Sequence, residues 1–113
     1  MRLAIVGSRT FNDYEKLKKY IKEYDNITEI VSGGAIGADS LAAKYALENN
    51  IKLTEFLPQW GKLATRHDDA YARNTLIVQN CDQVLAFWDG KSTGTKMTID
   101  IAKKIGKICK IIN

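Results

Sequence analysis

Proline occurs once in this chain, histidine once and cysteine twice, and each scarcity removes a class of protein. With Pro58 as the sole proline and no low-complexity segment, neither a linker nor a proline-rich recognition stretch is present. Cys81 and Cys109 lack metal-ligand spacing, and in a reducing compartment they read as small buried apolar residues rather than a disulfide. One histidine plus scattered carboxylates does not supply the donor set of a metal site. No apolar run approaches a membrane span, and the Met-Arg-Leu-Ala-Ile-Val start is too short for a signal peptide. A cytoplasmic protein with no membrane partner is therefore expected. The excess of one charge sign is small. The formal +4 sits largely on Lys16, Lys18, Lys19 and Lys22 and on Lys103, Lys104, Lys107 and Lys110, which read as solvated faces. Basicity alone does not make a nucleic-acid binder.

What is present is an ordinary globular composition. With 45% hydrophobic and 27% charged residues over 113 positions, one domain spanning 1–113 with a single core is expected. Short β-branched runs alternate with helical patterns throughout. Leu3–Val6 reads as a strand, and Tyr14, Leu17, Tyr20, Ile21 and Tyr24 recur at helical spacing. Ile27–Val31, Lys52–Leu57, Gln83–Trp88 and Lys107–Ile112 read as further strands. Leu41, Ala42, Tyr45 and Ala46 mark a second helix, and Ala70, Arg73, Leu76 and Ile77 a third. Met97, Ile101, Ala102 and Ile105 mark the last helix, with Gly106 as its C-cap. Strict alternation implies right-handed crossovers and a parallel sheet with helices on both faces. In such sheets ligands bind beyond the carboxyl ends of the strands.

Unusual residues do collect at that edge. Ser32-Gly33-Gly34-Ala35-Ile36-Gly37-Ala38-Asp39 follows the second strand and opens a helix, so backbone N–H groups would face a phosphate-bearing ligand. The loop is neither a Rossmann G-x-G-x-x-G nor a P-loop, which lacks support without its Lys-Ser/Thr. A second turn, Asp89-Gly90-Lys91-Ser92-Thr93-Gly94-Thr95, also opens a helix, with Ser92 or Thr95 as an N-cap. Gly7-Ser8-Arg9 ends the first strand; Arg9 suits a phosphate fork or an ion pair with Asp13 or Asp39. Arg73 and Asn74 lie in the third helix, whereas Arg66 is placed further out. Asp39 reads as a ribose ligand or a helix cap, and Trp88 as a base-stacking ring or the end of a buried strand. If there is catalysis, Asp39, His67 and Asp89 are its candidate acids and bases; His67 beside Asp68 and Asp69 reads equally as capping and solvated.

With these motifs in place, the chain resembles the SLOG superfamily, which includes the Smf/DprA domain and the LOG phosphoribohydrolases. It is most similar to the small YspA/YpsA-related branch. The resemblance is carried by Gly7-Ser8-Arg9, Ser32–Asp39, Arg73-Asn74, Trp88-Asp89-Gly90, Ser92 and Gly94-Thr95. It implies a Rossmann-like three-layer sandwich with a five-stranded sheet in the order 3-2-1-4-5. It also implies that Ser32–Asp39 and Gly94-Thr95 hold phosphate or ribose and that Arg9 and Arg73 contact phosphate. A homodimer is the assembly it suggests, and its DNA-processing members bind single-stranded DNA. One departure matters. LOG enzymes place a catalytic glutamate three positions after Gly-Thr, where this chain has Thr98. A threonine cannot supply carboxylate chemistry. Binding or sensing of a nucleotide or nucleotide-derived ligand such as ADP-ribose is therefore the leading expectation, with no cofactor required. Nucleotide hydrolysis and single-stranded DNA binding are the alternatives.

Overall fold

A computed structural model describes all 113 residues. The strands are β1 (Arg2–Gly7), β2 (Glu29–Ser32), β3 (Lys52–Glu55), β4 (Gln83–Phe87) and β5 (Ile108–Ile112). Between them run the helices α1 (Tyr14–Ile21), α2 (Ala38–Glu48), α3 (Arg66–Gln79) and α4 (Thr93–Ile105). Every strand pair is parallel, and the order is β3-β2-β1-β4-β5, as expected for a Rossmann-like α/β sandwich. The central strand β1 pairs Ala4 with Val31 on one side and Ile5 with Leu85 on the other.

Strand alternation splits the core in two. Leu3 and Ile5 point to one face, where they meet Leu17 and Ile21 of α1 and Ala42, Tyr45 and Ala46 of α2. Ala4 and Val6 point to the other face, against Ile77 and Val78 of α3 and Ile99 and Ala102 of α4. Each fully buried aliphatic side chain contributes about 1.5–3 kcal/mol, so β1 anchors both layers. Alanines 38, 42 and 46 form the i, i+4 stripe of α2 and are all buried, which lets that helix lie close to the sheet.

The strands differ from the expected runs by one or two residues at their ends, and two helix boundaries differ for identifiable reasons. The third helix starts at Arg66, before its apolar pattern begins, because Thr65 caps it: its hydroxyl accepts the Asp68 N–H at 3.0 Å. The first helix stops at Ile21, and Tyr24 packs against the core from beyond its end. Gly106 does cap α4, in the left-handed conformation with φ of 88°. Cys81 is buried and both cysteines are free thiols. No helix is long and apolar enough to cross a membrane.

Candidate functional site

From β1 the chain winds outward through β2 and β3, then returns to β4 and winds the other way to β5. The carboxyl ends of β1 and β4 therefore flank a switch point, and a groove of about 750 Å³ opens there. Its walls come from the loops after β1, β2, β3 and β4 and from one stripe of α3, comprising Ala70, Arg73, Asn74 and Ile77.

Most of the residues singled out in the sequence meet in this groove. Gly7, Ser8, Arg9, Gly33, Gly34, Ala35, Asp39, Arg73, Asn74, Asp89, Ser92, Gly94 and Thr95 all line it. Ser8 fastens two of the loops together: its backbone N–H donates to Phe87 O at 3.0 Å, and its hydroxyl accepts the Asp89 N–H at 3.2 Å. Arg9 is exposed at the rim. Its two proposed carboxylate partners are engaged elsewhere, Asp13 as the N-cap of α1 and Asp39 with the Ala35 N–H. Ser92 caps α4 by accepting the Thr95 N–H. Asp89 accepts N–H groups from Lys91 and Ser92 at 2.8 Å each. Hydrogen bonds from Ser92 and then Lys91 hold its pKa below the usual carboxylate value, which suits a turn-former better than a proton donor.

Arg73 is oriented by the protein itself. Its Nε donates to Asn74 Oδ1 at 2.8 Å, and its Nη1 donates to the Gly33 and Phe56 carbonyls at 2.9 and 3.3 Å. A β-carbon at Gly33 would lie 2.5 Å from that Nη1, so a larger residue there would push the guanidinium from its present path. Asp39, only 6% exposed, sits beside it. Burial raises the Asp39 pKa to about 6; the Ala35 N–H, Arg73 and the Gly33 N–H pull it down, and Glu55 adds to the rise. Burial also lowers the Arg73 pKa, a trend that Asp39 opposes and Arg9 reinforces.

Several expected site residues lie outside the groove lining. His67 is in the first turn of α3 with a side chain 73% exposed, 4.0 Å from Asp68, and reaches neither Asp39 nor the groove. Trp88 continues the Val84, Ala86 side of β4 into the second core, and its Nε1 donates to Ser92 O at 3.0 Å. Of the two readings of Trp88, this packing matches the end of a buried strand. Ser32 is fully buried and its hydroxyl accepts the Gly34 N–H. Gly37 and Ala38 pack under the Gly7–Arg9 loop, and Gly90 shapes the turn after β4 from outside the lining. These residues build the walls from behind.

Further groove residues are Thr98, singled out above only for the glutamate it replaces, and a segment that no motif marked. Thr98 lines the groove while 2% exposed, its hydroxyl donating to Gly94 O. The segment between β3 and α3 brings Leu57, Pro58 and Trp60 over one end. The carboxylate of Asp69 holds this segment down, accepting the Gly61 N–H on Oδ2 and the Leu63 N–H on Oδ1, both at 2.9 Å. Asp69 is buried, so Asp69→Ala is expected to cost about 1–2 kcal/mol by leaving two amides without their acceptor. Hydrogen exchange at Gly61 and Leu63 should accelerate in that variant while β1 amides stay protected; unchanged exchange at both loop sites would disprove the tether.

An open, doubly wound parallel sheet with loops converging at its switch point defines a Rossmann-like protein. Within that class, the chain belongs to the YspA, cpYpsA-related SLOG family, whose model matches residues 1–63. No curated protein matches it in sequence. Among solved structures, it is similar to DNA processing protein A from Streptococcus pneumoniae at 24% identity and a TM-score of 0.79, covering 99% of this chain and 50% of that one. It is also similar to DNA processing protein A from Helicobacter pylori, a protein described with a single-stranded DNA binding mode, at 23% identity and a TM-score of 0.75. That match covers 98% of this chain and 64% of the other. The chain thus spans half to under two thirds of these proteins, and at such identities the likeness is one of fold.

Proposed function

We propose that the protein binds a nucleotide or nucleotide-derived ligand in the switch-point groove and serves as a ligand-binding or sensing domain. The observation that carries this reading is the convergence of the Gly33–Ala35 loop, the exposed Arg9 and the first turn of α4 on one groove. The N–H groups at a helix start, reinforced by the helix dipole, favour an anion, and Arg9 supplies a fork for its oxygens. Gly94 at this turn has open space where a β-carbon would stand, so a phosphate can approach the backbone closely. Thr98, where the LOG enzymes have their glutamate, favours binding over glycosidic hydrolysis.

Thermal shifts with AMP, ADP and ADP-ribose test the proposal. Ligand at about a hundred times its Kd adds about 2.7 kcal/mol of apparent stability, enough to raise Tm by several degrees. Arg9→Ala should leave the unliganded Tm unchanged, because the side chain is exposed, and weaken binding about 10- to 100-fold. Absence of a shift with all three ligands at millimolar concentration would refute nucleotide binding.

The fold shared with the two DNA processing proteins supports a second reading, in which the groove takes a single strand of DNA. That reading requires affinity that falls steeply with salt, through release of counterions. Oligonucleotide binding that is absent at low salt would dismiss it.

A further inference from the structure

Resting on the nucleotide reading above, we propose that the indole of Trp60 is the platform on which the ligand's base stacks. The segment between β3 and α3 carries Trp60 into the groove lining, together with Leu57 and Pro58, at the wall contributed by β3. The anion-attracting features, Arg9, Lys91 and the first turn of α4, belong to the loops after β1 and β4. One end of the groove therefore carries an aromatic ring with apolar neighbours and the other carries Arg9 and Lys91, with Arg73 between them held by the Gly33 and Phe56 carbonyls, an arrangement that suits a molecule with a flat base and a phosphate. Its volume of about 750 Å³ is ample for a small ligand of that kind.

Trp60 is a large aromatic residue left 46% exposed, although the same chain buries Phe87 in its core. The Arg66 guanidinium lies 4.3 Å from its ring centroid and covers one face. A cation on one face of an indole draws on its π-electrons and favours one orientation of the ring, and a stacking base would take the opposite face. The ring is also carried on a tethered segment. Asp69 accepts the N–H of Gly61, the next residue, and that of Leu63, so the platform is held before any ligand arrives. Such preorganisation lowers the ordering cost of binding. Every base has a π-face, so this contact selects for a base without fixing which one.

Trp60 and Trp88 are the only two tryptophans, which makes the ring directly observable. In a Trp88→Phe protein, all tryptophan emission comes from Trp60. AMP is expected to quench it and ribose 5-phosphate to bind without quenching, as followed by calorimetry. Trp60→Ala should weaken AMP about 5- to 150-fold, the range for losing one base–aromatic stack, and leave ribose 5-phosphate affinity unchanged. Trp60→Phe should restore most of the AMP affinity. A short oligodeoxythymidine assayed in parallel assigns the source of the base: quenching at low salt by the oligomer alone places a strand on the same platform. If AMP and ribose 5-phosphate bind equally and neither AMP nor the oligomer quenches, the platform is wrong while phosphate binding stands. If none of the three binds, both proposals fall.

Discussion

Gly37→Ala is expected to destabilise the fold by about 2–6 kcal/mol, a large share of the stability of a domain this size. Gly37 is the N-cap of α2 with φ of 82° and ψ of −130°, a conformation that side-chain-bearing residues adopt only at a cost of about 1–3 kcal/mol. Space compounds the strain. A β-carbon there would stand 2.4 Å from the Ser8 carbonyl oxygen and 2.6 Å from that of Arg9. These are backbone atoms, and the Ala38 N–H donates to the same Ser8 oxygen, so the neighbour cannot simply turn aside. Relieving the overlap means moving the loop after β1 away from α2, at a further cost of about 1–3 kcal/mol. Gly94→Ala is the control, because nothing lies within 4 Å of its added carbon. In urea denaturation the control should match or slightly exceed the wild-type midpoint while Gly37→Ala falls far below it. Equal midpoints for the two variants would show that Gly37 is not a close-approach glycine. Since Arg9 sits on the displaced loop, Gly37→Ala should also weaken any ligand that Arg9 contacts.

That glycine marks what a sequence can and cannot disclose. Alternating apolar runs and helical stripes gave the parallel sheet because both patterns follow from strand and helix periodicity alone. The resemblance supplied the strand order. The loops after β1, β2 and β4 were legible because glycine clusters at strand ends are unusual and the switch-point rule says where they converge. The split of roles within those loops was not legible. Gly33 makes room for Arg73, Gly37 for the Ser8 and Arg9 carbonyls, and both are simply glycine in the sequence. Trp88 was readable in principle: it continues the Val84, Ala86 alternation that faces the second core. Trp60 had no such signal. It lies in an aperiodic polar stretch whose position depends on Asp69, a residue that reads as one more acid at a helix start until its two N–H partners are seen. Groups tied by tertiary hydrogen bonds leave no period to read.

Asp39 supplies the second large expectation: the fold should lose about 2–3 kcal/mol of stability as pH rises from about 4 to about 6.5. Its carboxyl is nearly fully buried and its pKa is raised to about 6, burial outweighing the pull of the Ala35 N–H and Arg73. In the unfolded chain the same group titrates near about 3.9. Between those values the folded protein binds the extra proton and the unfolded chain does not, so stability must fall with rising pH across that window. Above it the folded state carries a buried, incompletely compensated charge. Below it the acid is neutral in both states, and the contribution is constant. Asp82 and Asp89 are shifted the other way, downward, so their effects appear at lower pH and with opposite sign. Asp39→Asn keeps an oxygen for the Ala35 N–H and removes the titration. The difference in unfolding free energy between wild type and variant should therefore slope through pH 4–6.5 and flatten on either side. A pH-independent difference would mean that Asp39 is ionised alike in both states, and the charge on the groove wall would then be fixed. With a pKa near 6, by contrast, that wall changes charge close to neutrality. A ligand such as ADP-ribose, whose pyrophosphate bridge keeps a constant charge there, should then bind more tightly on the acid side of the same window.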